Sequence, residues 1–194
     1  MRRTAVLAGM LALAAVAAAE ERRAFEISDW YRSASVGAPV AAPSGGRIAF
    51  DVTRYDLGGG ATWSELWSAG TDGGEPRQLT FGRHHDASPV FSADSRSLFF
   101  VSDRGGEAQV WVMAVDGGEA RQLTRVPGGV ADPLVSPDGR WLAVTAEVYP
   151  ECGADAECNR TIADSSAGGP LSVRVAGALP YRHWSSWLEG RVQH

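Results

Sequence analysis

Residues 109–124 read QVWVMAVDGGEARQLT, and residues 65–80 read ELWSAGTDGGEPRQLT, 44 positions earlier in the chain. The tryptophan, the DGGE sequence and the RQLT sequence occupy the same places in both stretches. Self-similarity at a fixed step of this length is typical of a chain built from repeated structural units. The pattern therefore decides the fold class before any single strand or helix is assigned.

A second motif recurs upstream of each of these stretches. Each copy places a proline near its start and then a turn sequence rich in Ser, Asp and Gly, which favours a tight reversal of the backbone. A short apolar stretch follows each turn and is predicted to form a strand covered on both faces. The three copies are APVAAPSGGRIAF at 38–50, SPVFSADSRSLFF at 88–100 and DPLVSPDGRWLAV at 132–144.

The DGG sequences add a second hairpin turn to each complete repeat, and RQLT forms a short last strand. Four short antiparallel strands with a period of about 40–50 residues are typical of the blades of a β-propeller. We therefore predict an all-β chain that is an incomplete β-propeller of about three WD40-like or TolB-like blades, at 38–82, 83–127 and 128–194, the last incomplete. Because closed propellers have about four or more blades, the sequence is interpreted as a fragment of a longer protein.

The N-terminus predicts export. Arg2 and Arg3 precede an apolar stretch at 5–19 that ends in Ala-Ala-Ala, so residues 1–19 are predicted to be a secretory signal peptide and 20–37 a lead-in segment. The alternative is a retained membrane anchor, but the apolar stretch is short for a bilayer. We expect a periplasmic or secreted protein without stable membrane insertion after cleavage.

The charge balance argues against one class of partner. The net charge is −5, and there is no lysine in the sequence, so every basic side chain is an arginine. An acidic chain of this kind is not expected to bind nucleic acid.

Cys152 and Cys158 are predicted to form a disulfide, because an exported chain enters an oxidising compartment. The alternative is a pair of reduced thiols. A metal site is disfavoured because His183 lies far outside the spacings of zinc motifs. No metal and no cofactor is predicted.

The third repeat carries a long insertion that resembles a known family. It contains VYPECGADAECN at 148–159 and YRHWSSWLEGR at 181–191. A strand is predicted at 179–187. The rest of the insertion has the composition of a loop, and no long helix is predicted in it. Together with the blade motifs, it resembles the N-terminal propeller of the prolyl oligopeptidase family of serine peptidases, in the dipeptidyl or acylaminoacyl peptidase branch. TolB-like periplasmic propellers share the blade motifs.

The resemblance implies a substrate filter. In that family the propeller precedes an α/β-hydrolase domain with a Ser, Asp, His triad and admits short peptides to it. The partners expected here are accordingly short peptides, bound through the complete enzyme. The alternative function is a TolB-like scaffold for protein–protein interaction, and a third interpretation is an oligomer that assembles blades from several chains.

Catalytic residues are not predicted in this chain. A nucleophile elbow needs Gly-x-Ser-x-Gly, and no serine in the sequence has this context. The four histidines, at 84, 85, 183 and 194, are interpreted as structural or surface residues. Glu147 and Glu151, beside the insertion, are weak candidates for contacting the amino group of a peptide. The chain alone is predicted to be inactive.

Overall fold

The computed structural model describes residues 23–167 and 190–193. The predicted signal peptide at 1–19 and the predicted strand at 179–187 lie outside the described residues. Within them the chain is mostly β-structure, arranged as successive antiparallel sheets with two helices. The all-β prediction is confirmed at this level.

The first sheet has five strands, not four. Its order is β1-β3-β4-β5, and β2 also pairs with β3, so two short strands share the innermost position. Gly37, Ala38 and Pro39 separate these two strands, and the proline cannot donate a ladder hydrogen bond. The strands are β1 (Ser35–Val36), β2 (Val40–Ala41), β3 (Arg47–Asp56), β4 (Ala61–Gly70) and β5 (Arg77–Gln78).

The second sheet is the complete four-stranded unit that the repeat predicts. Its strands follow one another in the chain and in space, each antiparallel to the last. The strands are β6 (Asp86–Phe91), β7 (Ser97–Ser102), β8 (Gln109–Ala114) and β9 (Arg121–Gln122).

The third repeat is described as two strand pairs. β10 (Ala131–Val135) pairs with β11 (Leu142–Thr145), and β12 (Glu147–Val148) pairs with β13 (Val192–Gln193). The β12–β13 connection therefore contains the whole insertion, at 149–191, where the first two sheets have short loops. This end of the sheets is called the insertion end below, and the opposite end the turn end.

Two helices complete the described chain, and one of them corrects the sequence interpretation. α1 (Ile27–Trp30) is a single turn, whereas α2 (Ala156–Ala167) occupies the insertion, which was predicted to be a loop without a long helix. The carboxylate of Asp155 accepts the backbone N–H groups of Glu157 and Cys158, both at 3.0 Å. This N-terminal cap satisfies donors that a helix start leaves unpaired, and it is a signal that the sequence interpretation missed.

Two of the turns at the turn end, in the second and third repeats, have one design. Ser92 Oγ donates to Asp94 Oδ1 at 2.6 Å and accepts the N–H of Ser97 at 2.9 Å. Ser136 and Asp138 repeat the hydroxyl–carboxylate contact at the same 2.6 Å in the third repeat. The recurring Ser-x-Asp sequence is thus explained by side chains that bond to the turn's own backbone.

The main hydrophobic cluster lies between the first two sheets. It combines residues of β3 and β4 with residues of β6, β7 and β8, and Phe100 is its largest fully buried side chain. Trp67 and Trp111 occupy equivalent positions, paired with Phe50 and Phe100 respectively. The other buried members are Ala42, Ala49, Leu66, Leu79, Phe91, Leu98, Met113 and Val115.

A buried ion pair adjoins this cluster. Asp86, whose side chain is 2% exposed, accepts from the Arg104 guanidinium at 2.6 Å. Arg104 also donates to Ser102 Oγ at 2.9 Å, and its guanidinium lies over the rings of Phe100 and Trp111. The planar guanidinium is suited to combining hydrogen bonds with ring stacking in this way.

The repeated QLT sequence satisfies buried backbone groups. Thr124 Oγ1 accepts the N–H of Val110 at 2.9 Å and donates to Gln109 Oε1 at 2.7 Å. Thr80 Oγ1 accepts the N–H of Leu66 at 2.9 Å in the first sheet. Gln122 Nε2 donates to the backbone oxygen of Thr124, as the glutamine of the first repeat does to Thr80.

Thr124→Val is therefore expected to destabilise the protein by about 1–3 kcal/mol, because a valine of equal size leaves buried polar groups unpaired. Urea denaturation followed by tryptophan fluorescence measures this difference. Thr71→Val, at an exposed turn position, is the matched control and should change the free energy of unfolding by less than about 0.5 kcal/mol. Equal effects of the two substitutions would contradict the role assigned to the threonine of the motif.

Within residues 23–167 and 190–193, no helix has the length and apolar character needed to cross a membrane.

Candidate binding cavity at the inner strands

A cavity of about 570 Å³ lies where the innermost strands of the three repeats meet. Its walls come from equivalent stretches of sequence, with Ala38 and Val40 in the first repeat, 87–90 in the second and 132–134 in the third, and from Asp51 of β3. In the second and third stretches the proline that marks the start of a repeat is part of the wall. Its volume lies in the range of about 300–1,000 Å³ that is typical of small-ligand sites. Because all three repeats contribute to it, we take it as the candidate functional site of the described chain.

Backbone bulges present side chains to this cavity. Ser88 and Asp132, each directly before a proline, have positive φ angles of 53° and 47°. The pairing register of the inner strand shifts at both places. Because a bulge re-aims the side chains beside it, Pro89 and Pro133 are buried while the residues before them are exposed. In the sequence these X-Pro pairs served only to count repeats. Because they occupy the same position in each repeat, they also indicated that equivalent residues could line one shared cavity.

Asp51, in the central strand β3, contributes a carboxylate to the wall of the cavity. Its carboxylate packs directly over Gly37, and a Cβ atom on that residue would collide with both carboxylate oxygens. Gly37 in turn donates its N–H to the backbone oxygen of Asp51 at 2.8 Å. Partial burial raises the pKa of Asp51 above the usual aspartate value, because desolvation disfavours the charged form.

The insertion forms a small, internally bonded unit at one end of the sheets. Asn159, which is buried, accepts the N–H of Tyr149 at 2.9 Å and donates to the backbone oxygens of Gly153 and Asp155. Cys152 and Cys158 are joined by a disulfide, with their Cα atoms 5.5 Å apart. The motif at 148–159 thus ties the chain entering the insertion to the first turn of α2. Asn159-Arg160-Thr161 matches a glycosylation sequon, but both ends of the Asn159 amide are engaged in hydrogen bonds within the insertion.

Opening the disulfide is expected to destabilise the insertion by about 2 kcal/mol, as the loop it closes is short. The effect should be local, because α2 makes few contacts with the sheets. In hydrogen exchange, the Cys152→Ser/Cys158→Ser variant should lose protection in α2 while β6–β8 stay unchanged. The control is the intact mass of the wild type, which should increase by two hydrogens on reduction if the disulfide is formed. Identical α2 protection in both proteins would contradict this expectation.

The two glutamates named from the sequence lie near the insertion and not on the cavity wall. Glu147, in β12, is about half exposed and pairs with Arg191 at 3.4 Å. Glu151 is exposed in the turn that precedes α2. Neither is among the residues that line the cavity. A role for them in contacting a peptide amino group stays a prediction.

His85 bridges the first and second sheets at the insertion end. Its Nδ1 lies 2.9 Å from the Asp103 carboxylate and its Nε2 lies 3.1 Å from Thr62 Oγ1. Partial burial alone would raise the pKa of Asp103, but hydrogen bonds from the backbone and ring of His85 outweigh it and hold that pKa below its usual value.

The order of hydroxyl, imidazole and carboxylate resembles a hydrolase relay, but Thr62 stands in a regular strand and not on the strained turn that presents a nucleophile. We therefore interpret the trio as a contact between sheets. His183 and His194 lie outside the described residues. Within the described ranges no group of three or more His, Cys, Asp and Glu side chains could hold a metal ion.

Solved structures resemble this chain, and two of the three named here do so with TM-scores above 0.5. TolB from Agrobacterium tumefaciens is 24% identical, with a TM-score of 0.48 over 59% of this chain and 38% of that one. An acylaminoacyl peptidase from Pyrococcus horikoshii is 16% identical, with a TM-score of 0.53 over 63% of this chain and 19% of that one. The isopeptidase AtxE2 is 15% identical, with a TM-score of 0.52 over 71% of this chain and 25% of that one.

The chain thus spans less than two fifths of the length of each of these proteins, and at these identities the likeness concerns the fold. No curated protein matches the sequence. A family model described as the TolB beta propeller domain matches residues 21–156, which is well over half of the chain. This chain therefore belongs to the TolB β-propeller domain family.

Proposed function

We propose that this chain is the propeller portion of an exported serine peptidase of the prolyl oligopeptidase type, in which it admits short peptides to a hydrolytic site on another domain. The observation that carries the proposal is the cavity at the inner strands. Its walls are largely apolar, with proline side chains and two carboxylates, a composition suited to an extended peptide.

Two further observations are consistent with the peptidase, although the second does not distinguish it from other propeller proteins. The insertion motif at 148–159 forms the disulfide-tied unit described above, and that motif is part of the resemblance to the peptidases. The fold is shared with an acylaminoacyl peptidase whose structure contains Z-Gly-Gly-Phe-chloromethyl ketone, a peptide-like reagent. Export rests on the apolar N-terminal stretch of the sequence.

The test separates binding from hydrolysis. Purified chain is expected to bind fluorescein-labelled pentapeptides in fluorescence anisotropy, yet to release no chromophore from dipeptidyl and acylaminoacyl p-nitroanilides. Hydrolysis by the chain alone would contradict the proposal, because the nucleophile is assigned to another domain. Absence of peptide binding would contradict it equally.

A second candidate function, a TolB-like scaffold that binds other proteins, is favoured by the family match itself. The coding DNA beyond the His194 codon distinguishes the two. An open frame encoding Gly-x-Ser-x-Gly supports the peptidase, whereas further propeller repeats followed by a stop codon support the scaffold.

A further inference from the structure

Among the described residues, the carboxylate of Asp51 is bonded by its own backbone N–H and by no side chain. No described side chain forms an ion pair with it or donates a hydrogen bond to it, whereas most other aspartates on the strands and turns are paired or bonded. It is partly buried in a cavity wall that is otherwise mostly apolar. A carboxylate held in this state is poorly solvated and attracts an external cation more strongly than a surface carboxylate does.

The repeats show that the sheet itself does not require this charge. The position equivalent to Asp51 is Val101 in the second sheet and Thr145 in the third, and both pair with an alanine of the inner strand. Asp51 instead lies opposite Gly37, the residue that makes room for its oxygens. The first repeat thus departs from the others in both the charge and the small residue that accommodates it.

A second carboxylate stands on the same cavity. Asp132 is exposed on its bulge, and Thr145 Oγ1 donates to its Oδ2 at 2.9 Å. The residues lining the cavity include no arginine and no histidine, so its potential is negative. Apart from Ser88, the other residues on the wall are apolar, so the two carboxylates favour a cation over a neutral polar group.

We propose that this cavity selects peptides that carry a positive charge, holding an ammonium or guanidinium group between Asp51 and Asp132. The inference rests on the proposed peptide-admitting function and specifies its substrate class. The apolar lining contacts the alkyl part of the cationic residue, while the carboxylates bind the charged end. Lysine and arginine side chains combine these two features, and a free peptide amino terminus supplies the charge alone.

The binding test compares matched peptides. Fluorescein-labelled Ac-Gly-Pro-Lys-Gly-Ala-NH2 is expected to bind about tenfold more tightly than the same peptide with norleucine in place of lysine. A third peptide, with norleucine and a free amino terminus, distinguishes the two sources of charge. Binding of this third peptide as tight as that of the lysine peptide would assign the site to the terminus, and weaker binding would assign it to the side chain.

Variants locate the site. Asp51→Asn should remove most of the preference for lysine, and Asp132→Asn should reduce it, while Glu119→Gln, at an exposed turn position, should leave it unchanged. The preference should also fall as the pH is lowered through the raised pKa of Asp51, because protonation removes the charge. This titration uses the unmodified chain and does not depend on the folding of a variant.

The possible outcomes separate the inference from the function on which it rests. Equal binding of the lysine and norleucine peptides overturns the charge selection and leaves the peptide-admitting function standing. Failure of all three peptides to bind overturns both. A lysine preference that survives Asp51→Asn and acidification overturns the assignment to this cavity.

The stability of Asp51→Asn provides an independent check that no partner side chain stabilises the Asp51 carboxylate. A pKa raised in the folded state means that stability is highest when the group is protonated and is lost as the pH rises through that pKa. The asparagine variant should therefore melt at a higher temperature than the wild type near neutral pH, and the difference should vanish in acid. A lower melting temperature at neutral pH would show that the carboxylate has a stabilising partner and would overturn the proposal.

Discussion

Arg104→Met is expected to destabilise the protein by about 3–5 kcal/mol, because it leaves the carboxylate of Asp86 buried without its counter-charge. Asp86 is 2% exposed, and Arg104 is its ion-pair partner in the described chain. The same substitution removes the guanidinium from the rings of Phe100 and Trp111. Urea denaturation measures the loss. Circular dichroism is the probe, because the substitution changes the environment of Trp111 and would alter the tryptophan fluorescence itself.

The third repeat supplies the matched control. At the positions equivalent to Asp86 and Arg104 it has Val130 and Val148, which are 5% and 7% exposed. An apolar pair is therefore compatible with this place in the repeat. The double variant Asp86→Val/Arg104→Val should recover most of the stability that the single variant loses. A single variant within about 1 kcal/mol of the wild type, or a double variant less stable than the single, would contradict the role assigned to the pair.

Phe100→Ala is the second substitution with a large expected effect, a loss of about 3–5 kcal/mol. The ring is fully buried between the first two sheets, and its removal leaves a cavity in the main hydrophobic cluster. Phe81→Ala is the matched control, since that ring is 70% exposed. It should change the free energy of unfolding by less than about 0.5 kcal/mol. Similar losses for the two phenylalanines in thermal melts would contradict the assignment of the core.

The features predictable from the sequence are those that depend on neighbouring residues. The Ser-x-Asp turns, the DGG hairpins and the short Arg-Gln strands appear where the repeat places them, because each is stabilised by local hydrogen bonds. The doubled inner position of the first sheet was missed. The inner strand is broken between Val36 and Val40, whereas the equivalent strands of the other repeats, which carry a proline at the same place, show only a register shift.

The helix in the insertion was missed for a different reason. A composition rich in Gly, Ala and acidic residues is common to loops and to short helices, and the periodicity over 156–167 is weak. The deciding contacts are the cap from Asp155 and the bonds of Asn159 to the backbone before the helix. Of these, only the cap has a recognisable local pattern.

The cavity could not be predicted because its wall joins residues that are far apart in the chain. Ala38, Ser88 and Asp132 meet only after three sheets have stacked. Asp51 reads in the sequence as one charge in an apolar strand, and its contact with Gly37 follows from pairing across that sheet. The repeats are readable from the sequence, whereas these side chains come together only when the sheets stack.

The long connection between β12 and β13 has a consequence for the order of assembly. Residues 147 and 193 pair across the whole insertion, whereas β7 and β8 are joined by a loop of six residues. Closing a long loop costs more conformational entropy than closing a short one, and this cost arises before the paired strands make the contacts that offset it. Non-local pairings therefore slow folding. The first two sheets are therefore able to form while the chain is still being synthesised. We therefore expect the third sheet to close after the first two, at a rate set by how quickly the two ends of the inserted segment meet.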